Sequence, residues 1–179
     1  PTIEVVSTDP SVNSYISSNK SLNLYQLKSS YYSTVTLKVY SLGGSVLQLP
    51  GGVEADFAES NTKEHNYVIK YKTSSLSLSD VNSGTLYVKN LSDETKREAI
   101  AVTFKSSLPT VTSNRDGQGI TYNCTTSDID IYIKENIGTA GETGFTFIFT
   151  SPVGYNFISI SESNAQNFTQ VSTGSQSGS

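Results

Sequence analysis

The chain repeats part of itself. Leu86-Tyr87-Val88-Lys89 aligns without a gap on Ile131-Tyr132-Ile133-Lys134. In each copy an alternating apolar strand leads through a polar, turn-forming loop into a second alternating strand. Two copies of a β-hairpin predict two related β-domains in tandem, and tandem β-sandwich modules typically bind or build rather than catalyse. The apolar residues of the second strand align in the same register: Ile100, Val102 and Phe104 fall on Phe145, Phe147 and Phe149.

The composition fits a β-rich protein. Charged residues make up only 16% of the 179-residue chain, and Ser, Thr, Asn and Gly take their place. The apolar residues come in short alternating runs, separated by turns of Gly, Pro, Asn and Asp, with no helical periodicity of useful length. We therefore predict an all-β fold with two tandem immunoglobulin-like β-sandwich domains, the second small or incomplete.

The pattern divides the chain into four parts. Residues 1–20, rich in Ser, Asn and Thr, are predicted to form an N-terminal arm with one short strand. Residues 21–107 are predicted to be the immunoglobulin-like sandwich and residues 108–171 a smaller β-domain, with the boundary at Ser106-Ser107-Leu108-Pro109. The Gly/Ser-rich residues 172–179 are predicted to be a flexible tail. Because the second domain is shorter than the about 100 residues of such a fold, we expect open strand edges that need the arm or another subunit.

Charge and hydropathy exclude several classes of partner. The net charge is −4, and the densest basic spot, Lys96-Arg97, lies beside Glu98, which argues against nucleic-acid binding. No stretch is long and apolar enough to cross a bilayer, so no membrane insertion is expected. The N-terminus lacks a basic start and an apolar run. Two origins of this N-terminus are equally compatible with the sequence: a leader that has been removed, or an initiator Met that preceded Pro1.

Cys124 and His65 are the only cysteine and the only histidine. A single cysteine cannot form an internal disulfide, and its place on an alternating strand favours a small core residue over a reactive or intermolecular thiol. A single histidine cannot form a two-histidine metal site. Its polar neighbours Lys63 and Glu64 favour a surface residue at the start of a strand over a catalytic one.

Two acidic segments are candidates for ion binding. Residues 80–84 resemble the opening of a calcium loop, but the twelfth position is Leu91, which cannot be a ligand, so a turn before a strand is favoured. Asp128 and Asp130 with Glu135 could gather a cation at a domain junction. Their alternation with isoleucines also places both aspartates on the solvent face of a strand. We therefore predict no catalytic, cofactor-binding or metal-ligating residues, and no cofactor.

No motif for catalysis stands out. The chain has no Gly-x-Ser-x-Gly elbow, phosphate loop or His-Glu-x-x-His sequence. Tyr31 and Tyr32 are candidate stacking residues for a glycan, although core packing or use in an edge strand is favoured. Four glycosylation patterns receive no weight, since about that many arise by chance in such a composition; they begin at Asn19, Asn90, Asn123 and Asn167.

The hairpin from Gly84 to Phe104 carries a resemblance to a known family. It resembles the last two strands of bacterial immunoglobulin-like modules, and is particularly similar to the BACON-type domains of Bacteroidota. The shared pattern is a strand, a polar loop that starts at Asn90 and contains Arg97, and a final alternating strand. The resemblance implies a non-enzymatic, extracellular module, of the kind found on secreted glycan-handling proteins and on bacteriophage particles, where it decorates capsids or fibres.

Three hypotheses for the function follow. The first is a bacteriophage virion component, a capsid decoration or head-fibre type, which docks its β-sandwich edges on a particle lattice. Its partners would be other virion proteins or copies of itself, with host-surface glycans as a further candidate. The second is a secreted or cell-surface adhesion or glycan-binding module. The third, an enzyme, is the weakest, because no constellation of catalytic residues is present.

Overall fold

A computed structural model describes residues 1–27, 31–113, 120–124, 129–133, 147–155 and 176–177. These residues form strands, turns and bends without a helix, so the all-β fold class is confirmed. The first ten strands are β1 (Thr2–Asp9), β2 (Ser14–Ile16), β3 (Ser21–Tyr25), β4 (Tyr32–Tyr40), β5 (Ser45–Gln48), β6 (Val53–Ala55), β7 (Glu59–Ser60), β8 (Glu64–Lys72), β9 (Val81–Asn90) and β10 (Arg97–Lys105).

These ten strands build two sheets. Sheet A has the order β1-β4-β8-β6, and all its pairs are antiparallel. Sheet B has the order β2-β3-β10-β9-β5-β7. Its strands are antiparallel except for β3, which runs parallel to β10. The four edge strands of the two sheets are therefore β1, β6, β2 and β7.

The two sheets share one core, because their strands alternate apolar and polar residues with the period of two that the pleat imposes. In β4, Val35, Leu37 and Val39 are buried, whereas the intervening Thr36 and Lys38 are only half-buried. Sheet B meets them with side chains of the same kind. The buried cluster comprises Leu22, Leu24, Val35, Leu37, Val39, Leu47, Val53, Tyr67, Ile69, Leu86, Val88, Ile100, Val102 and Phe104.

The first copy of the repeat folds as the predicted hairpin. β9 and β10 pair antiparallel, with Leu86 opposite Ile100 and Lys89 opposite Arg97. A bulge interrupts the register where Val102 faces Gly84 and the next residue faces Asn82. Gly84 has a φ of 114°, which a residue with a side chain adopts only with strain, so glycine is required at this bulge.

The prediction of an N-terminal arm is wrong. β1 pairs with β4 along its length, with Ile3 opposite Val39, and β2 pairs with β3. The buried Asn13 between β1 and β2 fixes this corner: its amide nitrogen donates to the Ser33 hydroxyl (2.8 Å), and its amide oxygen accepts from the backbone nitrogen of Tyr25 (2.8 Å). An edge strand needs few apolar residues, so its sequence resembles a loop.

Three further strand pairs follow in the described part of the chain. They are β11 (Thr110–Ser113) with β14 (Phe147–Thr150), β12 (Ile120–Cys124) with β13 (Ile129–Ile133), and β15 (Gly154–Tyr155) with β16 (Gln176–Ser177). β16 thus falls in the segment that was predicted to be a tail.

The second copy of the repeat does not fold as the predicted hairpin in the described residues. There β13 pairs with β12, and β14 pairs with β11. The alternating pattern correctly located both strands, but it did not determine their partners.

Candidate functional site

The outer face of sheet A carries two exposed tyrosines. Tyr32 and Tyr40 begin and end β4, and their side chains are 40% and 39% exposed. Both point away from the core, because they lie on the same face of β4 as Thr34, Thr36 and Lys38, which alternate with the buried residues. They are eight residue positions apart along the strand, which corresponds to roughly 26 Å. We call this surface the tyrosine face.

A shallow depression lies beside Tyr40. It has a volume of about 210 Å³ and is lined by Thr2, Glu4, Lys38, Tyr40 and Glu64, which come from β1, β4 and β8. Lys38 and Glu64 form an ion pair of 3.0 Å across it. The lining is therefore polar and of mixed charge, with one aromatic ring at its rim.

A lysine covers the ring of Tyr40. The Nζ atom of Lys63 lies 4.9 Å from the ring centroid, within the range of a cation–π contact. The hydrogen bond to the Tyr40 side chain is the main cause that raises the pKa of Lys63 above its ordinary value. This lysine therefore remains cationic at neutral pH.

Tyr32 has a similar environment at the other end of the face. The Nζ atoms of Lys70 and Lys72 lie 5.8 and 5.4 Å from its ring centroid. Its hydroxyl donates to Glu54 at 3.4 Å. A hydrogen-bonded ion pair with Asp56 is the first cause that raises the pKa of Lys70. Each exposed tyrosine thus sits among lysines and carboxylates.

The expectation that Tyr31 and Tyr32 pack in the core is wrong. Tyr31 is 62% exposed and Tyr32 is 40% exposed. β4 is an inner strand of sheet A, but β1 ends opposite Thr34, so among the described residues Tyr32 pairs only with Lys72 of β8. The sequence offered a signal for the exposure of Tyr32. Along β4, Tyr32 lies an even number of residues from Lys38 and therefore on the same face, whereas the buried valines lie on the opposite face.

The edge strand β1 is the second exposed feature of sheet A. Among the described residues its one neighbour in the sheet is β4. Val5 and Val6 on this strand are 41% and 53% exposed. The register shifts between Val5 and Ser7, so Val6 is the extra residue of a bulge. An eight-residue edge with two exposed valines is a surface that another strand can join.

Asn90 organises the turn between β9 and β10. Its amide nitrogen donates to the Ser41 hydroxyl (2.9 Å) and to the carbonyl of Leu42. Its amide oxygen accepts from the backbone nitrogens of Ser92 (2.9 Å) and Asp93 (3.0 Å). One buried side chain therefore links this turn to the turn between β4 and β5.

The hydrogen bonds of Asn90 make it inaccessible to a glycosyl donor in the folded chain. Asn19 is exposed, and its amide oxygen accepts from the Ser21 hydroxyl at 2.6 Å. Asn123 is exposed on β12, and Asn167 lies outside the described residues.

His65 is the second residue of β8 and is half-buried rather than on the surface. Its ring makes edge-to-face contacts with Phe57 (5.9 Å between centroids) and with Tyr67 (4.7 Å). Tyr67 extends further into the core, where its hydroxyl donates a hydrogen bond to the backbone carbonyl of Ser45 at 3.0 Å. Ser45 lies on β5, so this bond links the two sheets.

The segment that resembles a calcium loop uses its polar groups internally. The Asp80 carboxylate accepts from Lys105 and from the backbone nitrogen of Ser106 (2.8 Å). These two donors lower the pKa of Asp80, and the ion pair with Lys105 is the larger cause. Asn82 accepts from the backbone nitrogen of Gly84 at 2.9 Å, as in an Asx turn.

The remaining candidates fall mostly outside the described residues. Asp128 and Glu135 do, and so does the side chain of Asp130, whose backbone lies on β13 opposite Asn123. Cys124 is the last residue of β12, and its side chain is likewise not described. In the described part of the chain, no three His, Cys, Asp or Glu side chains gather as a metal site would require.

Comparisons with known proteins give no relative. No family model matches the chain, and neither a curated protein nor a solved structure matches it significantly. A search of the described residues for a helix long and apolar enough to cross a membrane also found none.

Proposed function

We propose that this chain is a non-enzymatic structural and binding protein, a bacteriophage virion component of the capsid-decoration or head-fibre type. In this function the open edge of sheet A docks the protein within a particle lattice of other virion proteins or copies of itself. The observation that carries the proposal is the eight-residue edge strand β1 with its exposed valines. An edge of this kind presents unpaired backbone groups to any extended segment that can join it.

The proposal includes an immunoglobulin-like fold for the first domain and a second, smaller domain of related type. The strand order supports the first part. Sheet A places β1-β4-β8-β6 together, and β10-β9-β5 run side by side in sheet B, as the two sheets of a seven-stranded immunoglobulin sandwich do. The last two strands form a hairpin with an Asn-led turn, as the resemblance to BACON-type modules implies.

The composition of purified particles tests the virion proposal. Virions would be separated on a density gradient and digested, and their peptides identified by mass spectrometry. We expect peptides of this chain at a fixed ratio to the major capsid protein. Recovery of the chain from culture supernatant or cell membranes, with none in the particles, would contradict the proposal.

A second candidate function is a secreted or cell-surface module that binds glycans, and the tyrosine face favours it. Exposed aromatic rings beside charged and hydroxyl groups are the surface on which a sugar stacks and forms hydrogen bonds. The depression beside Tyr40 supplies such a group of side chains.

A glycan array compared across three variants tests this second candidate. Tyr32→Ala and Tyr40→Ala should each abolish binding that the unmodified chain shows. Tyr87→Ala is the matched control, because Tyr87 carries Arg97 over its ring (4.7 Å to the centroid) but lies on sheet B. Equal loss in all three variants would contradict a site on the tyrosine face.

A further inference from the structure

The four sheet edges differ in how well they are protected against pairing. β6 has three residues, β2 three and β7 two, and edges this short offer few backbone groups to another strand. β1 has eight. It is therefore the edge of the sandwich where an additional strand gains the most hydrogen bonds.

The sequence of β1 lacks most of the features that block edge pairing. Thr2–Asp9 contains no Lys, Arg or Pro, and Glu4 is the one charge before its last residue. Five of its eight residues are β-branched, which favours the extended conformation. The bulge at Val6 is the one protective feature, and it leaves both valines exposed.

We propose that β1 pairs antiparallel with β1 of a second copy of this chain, so that the two A sheets join. Each sheet A has four strands, and the joined sheet would have eight (four plus four). This inference rests on the proposed docking role of the edge and names its partner. A pair of identical edges also closes on itself by a two-fold axis, as most homodimers do.

Charge and side-chain pairing favour a second copy as the occupant. With the two-fold axis between Val5 and Val6, Val5 faces Val6 of the partner subunit. Glu4 then faces Ser7 of the partner subunit, so the two carboxylates are not opposed. A strand with a carboxylate at its middle residue is a less suitable partner for β1. The edge strand β6 of another copy is such a strand, because its middle residue is Glu54.

The oligomeric state of the whole chain tests this inference. Sedimentation velocity over a concentration series should show a monomer–dimer equilibrium for the unmodified protein. Val6→Lys places a charge on the edge, and we expect it to weaken the dimer by about tenfold or more. Leu78→Lys is the matched control, because Leu78 is exposed in the loop between β8 and β9 and should leave the equilibrium unchanged.

A cross-linking experiment tests the register in a background where Cys124 is replaced by Ser. Glu4→Cys mixed with Ser7→Cys should give a disulfide-linked heterodimer under mild oxidation. Glu4→Cys alone should give little, because the register keeps the two Glu4 positions apart. Circular dichroism would establish that each variant retains its β structure.

Three outcomes would overturn the inference: a monomer at every soluble concentration, aggregates without a defined dimer, or a dimer that Val6→Lys leaves intact. These outcomes are distinct from a failure of the virion proposal, which the particle composition decides. A chain found in particles but monomeric in solution would retain its proposed function and lose this partner.

Discussion

The two copies of the repeat share an apolar pattern but not an environment. In the first copy Leu86 and Val102 are fully buried between the two sheets. At the aligned positions of the second copy, Ile131 and Phe147 are only half-buried. The difference shows that alternation specifies a strand and its inward face, whereas the depth of burial depends on the sheet that packs against it.

The copies also differ in the polar residues that hold the first hairpin together. Asn90, which organises the turn, aligns with Glu135, and an ionised carboxylate cannot donate the hydrogen bonds of an amide. Lys105, which pairs with Asp80, aligns with Thr150. These exchanges give a physical reason why one copy forms a hairpin and the described strands of the other pair elsewhere.

Truncation of aligned apolar residues should produce the largest difference between the copies. Leu86→Ala removes a fully buried side chain, and we expect the free energy of unfolding to fall by about 2–5 kcal/mol. Ile131→Ala should cost less, because the Ile131 side chain already contacts solvent. Urea denaturation followed by circular dichroism measures both, and equal losses would show that the two copies are packed equally well.

Replacement of Asn90 by Asp tests the role of its amide. The variant keeps the oxygen that accepts from Ser92 and Asp93 but loses both donations to the Ser41–Leu42 turn, so we expect a loss of about 1–3 kcal/mol. Asn82→Asp is the control, since the Asn82 side chain accepts from Gly84 and is exposed. A similar loss in both variants would argue against a special role for the buried amide.

The sequence predicted the strands of this fold better than their assembly. The alternation of Val35, Leu37 and Val39 located β4 and its inward face. The alternation did not predict that β1 would pair with β4. An edge strand buries few of its side chains, and the two valines of β1 stand among polar residues that are also typical of a loop.

The tyrosine face could be predicted only in part from the sequence. The alternation in β4 gives the outward direction of Tyr32 and Tyr40, but sheet order decides which strands lie beside them. The lysines beside Tyr32 come from β8, and the alternation in β4 does not show that β8 pairs with it. Likewise, the depression beside Tyr40 combines side chains from three strands that are far apart in sequence.

The bond between Tyr67 and Ser45 supports the first copy from the opposite sheet, because Ser45 pairs with Asn90. Burial is the main cause that raises the pKa of Tyr67 above 10.0. The Tyr67 hydroxyl therefore ionises at a lower pH in the unfolded chain than in the folded one. The resulting stabilisation is present below pH 10 and is lost as the pH rises through the folded-state pKa.

Tyr67→Phe should therefore lower stability at pH 7 by about 1 kcal/mol, through loss of the hydroxyl's hydrogen bonds. The same variant should show a weaker decline of stability above pH 10. Chemical denaturation at pH 7 and at a series of alkaline pH values measures both effects. Parallel pH profiles for the two proteins would contradict a buried, neutral Tyr67.

The smallest effect on stability is expected at the end of the first hairpin that lies opposite its turn. There the Asp80–Lys105 ion pair joins the segment before β9 to the end of β10. Both side chains are partly exposed, so solvent screens the pair, and Asp80→Asn should cost less than about 0.5 kcal/mol at pH 7. Because Lys105 and the Ser106 nitrogen lower the pKa of Asp80, this stabilisation is present above the ordinary carboxyl pKa of 3.8 and is lost as the pH falls.

Lys105→Thr introduces the residue of the second copy, and the double variant completes a thermodynamic cycle. If this ion pair contributes to the difference between the copies, the effects of the two single variants will not add at pH 7 but will add at pH 2. Additivity at both pH values would exclude the pair and leave the apolar core and Asn90 as the sources of the difference.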